Sequence, residues 1–251
     1  MGRLPIGPVT LACRACPLRS LKALCPPSDE QTKSIQDRKR GEIALDRGQV
    51  LYEQDSATAG LYTVLEGVLM RYRTLDDGRR QIVNFMFPGD LIGLQGALDG
   101  ACGHSVEAVL PARVCVFDRS DFPGLIAEHP RLGYDLVWIA AHEECALEQH
   151  IVSLGKRNAR ERVAALAIWL LRRAHDTAIT DAKNRLALPI TQVQIADMAG
   201  LSPVHANRTL QSLRRDGLVD WKPNELLVPD FEKTSDFARE VPGGGRKTPF
   251  I

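Results

Sequence analysis

The segment from Pro189 to Arg215 constrains this chain more than any other, because it reads as two short helices about one tight turn. Thr191 is placed to cap the first helix. Val193, Ile195, Ala196 and Ala199 give that helix an apolar side, and Gly200 supplies the open backbone geometry that ends it. Ser202 then serves as N-cap and Pro203 as the first helical residue, since proline has no N–H to leave unpaired and its φ is already helical. In the second helix Val204, Leu210 and Leu213 are expected to face inward, with His205, Asn207, Arg208 and Gln211 outward. A helix that starts polar and ends in Arg214 and Arg215 suits the major groove of DNA. An isolated window of this kind is also compatible with an ordinary helical hairpin carrying a solvated basic face.

The surroundings favour the DNA reading. Gly217–Trp221 and Glu225–Val228 are short apolar runs on either side of Lys222-Pro223-Asn224, which predicts a β-hairpin and hence a winged helix over residues 157–230. Between Lys156 and Arg215 eleven Lys and Arg face four Asp and Glu, about +7, in a chain whose net charge is +1. Arg208 is the best candidate for reading guanine, with Asn207 and His205 as base or phosphate contacts. Thr191, Thr209, Arg214 and Arg215 are assigned to the DNA backbone, and Ser202, Val204 and Gln211 complete the candidate DNA-facing set.

With 251 residues, 44% hydrophobic and 25% charged, the chain is long enough for two modest domains. No apolar run approaches a membrane span and Pro5 and Pro8 interrupt the N-terminus, so the expected location is the cytoplasm. From Arg40 to Asp118, short β-like runs alternate with glycine-bearing turns: Val50–Tyr52, Leu61–Leu65, Val68–Arg73, Ile82–Phe87 and Arg113–Phe117. Asp76-Asp77-Gly78 marks a hairpin. These imply an antiparallel β-roll over residues 35–120 and an α+β fold class. Residues 121–156 follow as a long helix, in which Leu132, Leu136, Ile139, Glu143, Leu147, Ile151 and Leu154 recur at three- and four-residue steps. That stripe packs either on its own β-domain or on a two-fold mate. Residues 231–251 are expected to be a disordered tail, with little to bury from Val241 onward.

In this order of parts, four stretches carry a family resemblance: Gly60-Leu61-Tyr62-Thr63-Val64-Leu65-Glu66-Gly67, Phe87-Pro88-Gly89-Asp90-Leu91-Ile92-Gly93, Asn158-Ala159-Arg160-Glu161-Arg162-Val163-Ala164 and Leu201–Arg208. Over about residues 35–230 the chain resembles the CRP/FNR superfamily of bacterial transcription regulators, nearer its FNR/FixK-like branch than its cyclic-AMP-binding branch. The resemblance implies a cyclic-nucleotide-binding-like jelly roll, a long dimerisation helix and a C-terminal winged helix-turn-helix. It implies a sequence-specific DNA-binding regulator, a homodimer on a palindromic double-stranded operator, with RNA polymerase as a further partner. Val204 stands where the best-known branches place a glutamate, so their half-site does not carry over. Leu94 and His104-Ser105 stand where the cyclic-AMP branch has a ribose-binding glutamate and a phosphate-binding Arg-Ser pair, which argues against cyclic-nucleotide control.

Six cysteines remain to be explained, and Cys13, Cys16 and Cys25 form a C-x2-C-x8-C group ahead of the roll. Structural disulfides are disfavoured in a cytoplasmic regulator, which leaves iron–sulfur ligation, zinc or free thiols. The oxygen-sensing branch of the family is similar in holding a [4Fe-4S] cluster by three N-terminal cysteines and a fourth in the roll. That resemblance implies Cys115 as the fourth ligand, Cys102 as its substitute, and Cys145 as helix filler. Without a cluster, the same DNA-binding role is controlled by thiols or by expression level. An enzyme, or a metal or redox protein built on the roll, is the remaining class. Against an enzyme, no nucleophile–base pair, phosphate-binding glycine loop or carboxylate pair is present, and the six histidines are scattered.

Overall fold

The structure is a computed structural model that describes residues 4–56, 60–180, 182, 184–240 and 247–251. The chain forms two compact units: residues 1–79, 84–143 and 246–251 make the first, and residues 80–83 and 144–245 the second.

The first unit is built on β1 (Leu24–Cys25), α1 (Asp29–Arg38) and the strands β2 (Lys39–Leu45), β3 (Val50–Tyr52), β4 (Gly60–Glu66), β5 (Leu69–Thr74), β6 (Arg80–Met86) and β7 (Leu91–Ile92). A short helix α2 (Leu94–Asp99) precedes β8 (Ser105–Ala108) and β9 (Ala112–Asp118). The strands pair as two four-stranded sheets, β2-β9-β4-β7 and β3-β8-β5-β6, the expected roll. The turn at Asp76-Asp77-Gly78 closes β5 onto β6, with Gly78 at φ +83°, which a side chain would resist.

Strand β9 explains why Val114-Cys115-Val116-Phe117 is apolar throughout. Successive side chains point to opposite faces of a strand, and here both faces are covered. Val114 and Val116 enter the roll interior with Ile43, Val64 and Leu69. Cys115 and Phe117 enter a second core on the outer face, with Leu18, Ile35 and Leu125. That outer core also takes Leu132 and Leu136, from the start of α4 (Pro130–Lys156), which follows α3 (Phe122–Glu128).

The long-helix stripe therefore needs correction as a dimer surface. Leu132 and Leu136 are 1% and 4% exposed in the chain's own core, and Glu143 pairs with Arg71 while accepting from Asn84 Nδ2 at 3.0 Å. Leu154 packs near Gly200, and Ile139, Leu147 and Leu154 are half-buried. Ile151 alone of the set is fully exposed, at 68%. A different apolar series on α4 is exposed: Tyr134, Val137, Ala141, Cys145 and Val152. Periodicity shows that a helix has a buried face, not what buries it.

The second unit contains α5 (Ala159–Asp176), β10 (Arg185–Leu186), α6 (Gln192–Ala199), α7 (Pro203–Arg215), β11 (Asp220–Lys222), β12 (Glu225–Leu227) and α8 (Phe231–Ala238). Asn158 caps α5 through a reciprocal capping box with Glu161. The expected hairpin β11–β12 gains a third strand, β10, on its open edge.

The expected disordered tail is corrected at residues 231–240 and 247–251, while residues 241–246 lie outside the described residues. Helix α8 packs on α5, burying Ala238 and Thr234, whose hydroxyl donates to the Leu218 carbonyl at 3.0 Å. Residues 248–249 form β13, parallel to β1, and Phe250 and Ile251 are buried in the outer core. Composition alone hid this, because a few large apolar residues suffice where a core edge already waits for them.

Candidate nucleic-acid interface and sensor cavity

Helices α6 and α7 form the predicted helix-turn-helix. The Thr191 hydroxyl accepts from Gln194 N, and Gln194 Oε1 accepts from Thr191 N at 2.8 Å, a capping box that starts α6. Gly200 ends it at φ +63°, and Arg162 Nη1 donates to the Ala199 carbonyl at 2.9 Å. Ser202 Oγ accepts from His205 N at 3.2 Å to start α7. Ala206, Leu210 and Leu213 are buried where α7 packs on α5 and α6.

This leaves one outward face on α7: Val204, His205, Asn207, Arg208 and Gln211, all exposed. Gln211 Nε2 donates to Asn207 Oδ1 at 3.1 Å, so these two amides present as a pair. Arg208 has no ion-pair partner among the described residues. Val204, expected to face inward, is 64% exposed and offers an apolar contact of the kind a thymine methyl takes. Val193, assigned to the apolar side of α6, is likewise 49% exposed.

Three residues assigned to the DNA backbone, and Ser202 of the wider DNA-facing set, have partners within the chain. Thr209 is 4% exposed and its hydroxyl donates to the His205 carbonyl at 2.8 Å, one turn back, which satisfies the buried hydroxyl within the helix. Arg214 donates to Asp220 at 2.5 Å and braces β11. Thr191 and Ser202 use their hydroxyls as caps. Arg215 stays exposed. The local charge excess is also smaller than counted, because Arg160 pairs with Asp216, Arg157 with Glu240, and Arg185 with Glu225. Lys183 lies outside the described residues. Sequence reading did not single out Lys222 and Asn224 as individual candidates; both are exposed about the hairpin turn between β11 and β12.

Inside the roll, His104 and Ser105 are engaged in hydrogen bonds within the chain. His104, 6% exposed, donates from Nδ1 to Gln95 Oε1 at 3.1 Å and accepts at Nε2 from the Tyr52 hydroxyl at 2.8 Å. Burial, with Arg71 and Arg73 nearby, pushes its imidazole down to about 4. The Ser105 hydroxyl accepts from Gln54 N at 2.9 Å and donates to the Glu53 carboxylate at 3.3 Å.

The cysteines separate into two groups. Cys13, Cys16 and Cys115 line one cavity of about 20 Å³, room for roughly one water. The Lys39 ammonium hydrogen-bonds Cys115, whose thiol burial pushes up to about 12 against that cation. Cys13 and Cys16 are raised as well, by burial first. Cys25 lies instead on a separate cavity of about 280 Å³ beside Arg131 and Lys247. Among the described residues no group of three or more Cys, His, Asp or Glu is poised for a metal ion. Of the four cysteines expected to hold a cluster, Cys13, Cys16 and Cys115 share one small cavity and Cys25 lines the neighbouring one, the two cavities having Pro27 and Phe250 in common. Cys102 is buried in the roll and Cys145 exposed on α4, away from both.

A β-roll of this topology joined to a three-helix winged unit defines a two-part DNA-binding regulator. Residues 42–129 match the cyclic nucleotide-binding domain family and residues 161–233 the Crp-like helix-turn-helix domain family. The chain is 33% identical to the nitrogen fixation regulation protein FixK of Bradyrhizobium diazoefficiens, covering 82% of this chain and 85% of that one. It is 26% identical to the transcriptional activator protein FnrL of Cereibacter sphaeroides over 93% of this chain and 94% of that one. The solved structure of FixK2 from Bradyrhizobium japonicum superposes with a TM-score of 0.67 at 25% identity, covering 81% of this chain and 98% of that one. The chain belongs to the CRP/FNR family, in its FNR/FixK-like branch, and is a DNA-binding transcription regulator. No described helix is long and apolar enough to cross a membrane.

Because folded His104 stays neutral down to about pH 4 while the unfolded histidine protonates near its ordinary value of about 6.5, its contribution is fully present above about 6.5 and is lost as pH falls toward 4. The loss amounts to at most about 3 kcal/mol. Urea unfolding of wild type and His104→Gln across that window checks it: the variant is expected to lose this part of the pH slope, and equal slopes would remove His104 as the cause.

Proposed function

We propose that this regulator reads a palindromic operator as a two-fold dimer through α7, and that its signal is the redox state of thiols. The observation that carries the DNA reading is the unpartnered Arg208 on a face with Val204, His205, Asn207 and Gln211, all exposed. A planar guanidinium in the first turns of a recognition helix suits bidentate hydrogen bonding to guanine O6 and N7. Arg208→Ala is expected to cost about 1–3 kcal/mol at the cognate site and to relax one base position, with little change on random duplex. Gel shifts on both DNAs check this, and equal loss on the two would make Arg208 a phosphate contact.

Dimerisation is supported by the exposed apolar series Tyr134, Val137, Ala141, Cys145 and Val152, whose three-, four- and seven-residue steps suit a helix-to-helix seam. Two copies paired along it would serve half-sites about 34 Å apart, one turn of DNA. Val137→Asp is expected to weaken self-association and operator binding together in sedimentation and gel-shift measurements. An unchanged dimer would move the seam elsewhere. RNA polymerase is the partner that a family activator or repressor addresses from such a site.

The thiol reading rests on Cys13, Cys16 and Cys115 sharing one cavity that Cys25 does not line. Oxidation of two of these thiols to a disulfide, by a peroxide or disulfide oxidant that takes up both electrons, is the chemistry they allow. Elemental analysis of protein made without oxygen tests it. Substoichiometric iron and sulfide is expected, and stoichiometric iron and sulfide lost in Cys115→Ser would replace the thiol reading with a cluster.

A further inference from the structure

The last residues of the chain do not end on the surface. Thr248 N donates to the Ala23 carbonyl at 2.9 Å, β13 runs parallel to β1, and the Thr63 hydroxyl donates to the carbonyl of Ile251. Phe250 and Ile251 are only 6% and 9% exposed, and both sit in the outer core with Leu18, Leu24 and Ile35. They also wall the cavity that holds Cys13, Cys16 and Cys115. Cys115 is buried behind this segment, while Cys13 and Cys16 are half-buried at its side.

We propose that residues 247–251 are a detachable latch: the groove formed by β1, Leu18 and α1 over β4 and β9 is an interaction surface for this segment of the same chain, and the buried Cys115 thiol, innermost of the three, meets external reagents only when it is out.

The attachment is weaker than what lies beneath it. A two-residue strand pair has few hydrogen bonds, and Pro249 has no N–H to extend it. The cavity under Phe250 and Ile251 removes contacts that a filled core would supply. By contrast, the N-terminal segment carrying Cys13 is fixed by the buried Lys39–Glu42 pair, with the Lys39 Nζ donating to the Leu11 carbonyl at 2.9 Å. Release of the tail is therefore a smaller step than release of the segment it covers. Coupling is reciprocal: a molecule bound at the thiols weakens docking of the tail by the same factor by which the docked tail weakens its binding.

Alkylation of the intact protein by N-ethylmaleimide, read cysteine by cysteine by mass spectrometry, tests the latch. In Phe250→Asp, and in a chain ending at residue 246, Cys115 is expected to react at least about tenfold faster, the scale of a lost local protection, and the half-buried Cys13 and Cys16 to change less. The exposed Cys145 should react at its unchanged rate. A peptide copying residues 247–251 should restore slow alkylation to the shortened chain, and the same peptide with aspartate for phenylalanine should not. Unchanged rates in both variants would overturn the proposal. So would acceleration that the peptide cannot reverse, because the tail would then be part of one cooperative fold rather than a latch.

Discussion

The carboxylate of Glu42 is the point on which the sensor unit depends. It is buried on β2 and accepts from Lys39 Nζ at 2.6 Å, Thr10 Oγ1 at 2.6 Å, Leu11 N at 3.1 Å and Arg113 Nη1 at 3.3 Å. Burial by itself would push this carboxyl up, but the Lys39 and Thr10 hydrogen bonds outweigh it and hold the group below the usual carboxylate range. Lys39 is raised in turn, because Glu42 and Cys115 more than offset its desolvation. Removing one member of such a pair leaves the other charged and buried, at a cost of about 3–5 kcal/mol. The arrangement thereby fastens an otherwise irregular N-terminal stretch to the first long strand.

Everything on the outer face of the roll follows from that attachment. With the N-terminal stretch fixed, Leu18, Leu24 and Ile35 stand opposite Cys115 and Phe117, and an outer core exists for α4 and the tail to enter. The thiols meet beside Lys39 because the same lysine serves Glu42, the Leu11 carbonyl and Cys115. An ammonium there stabilises a thiolate, while burial opposes it, and burial wins at Cys115.

The DNA-binding unit is organised by a different means. Its helices begin at side-chain caps, Asn158, Thr191 and Ser202, and its arginines are spent largely within the fold. Arg160, Arg162 and Arg214 brace helix ends and the hairpin, which leaves Arg208 and Arg215 facing outward. The outward face of α7 thus carries few side chains, held on a rigid frame.

Local chemistry made part of this legible from the amino-acid order alone. Caps, a proline at a helix start, a glycine at a helix end and an Asp-Gly turn each act within a few residues, so the helix-turn-helix, the Asp76–Gly78 hairpin and the roll's main strands could be read directly. The tertiary structure alone decided what each apolar face meets. Leu132 and Leu136 turned to their own core, Val204 to solvent, and Thr209 to a backbone carbonyl. Cys13, Cys16 and Cys115 came to line one cavity and Cys25 the next, with Phe250 between them on both. Those outcomes depend on contacts between residues as far apart as Thr63 and Ile251, and no periodicity within one segment encodes its partner.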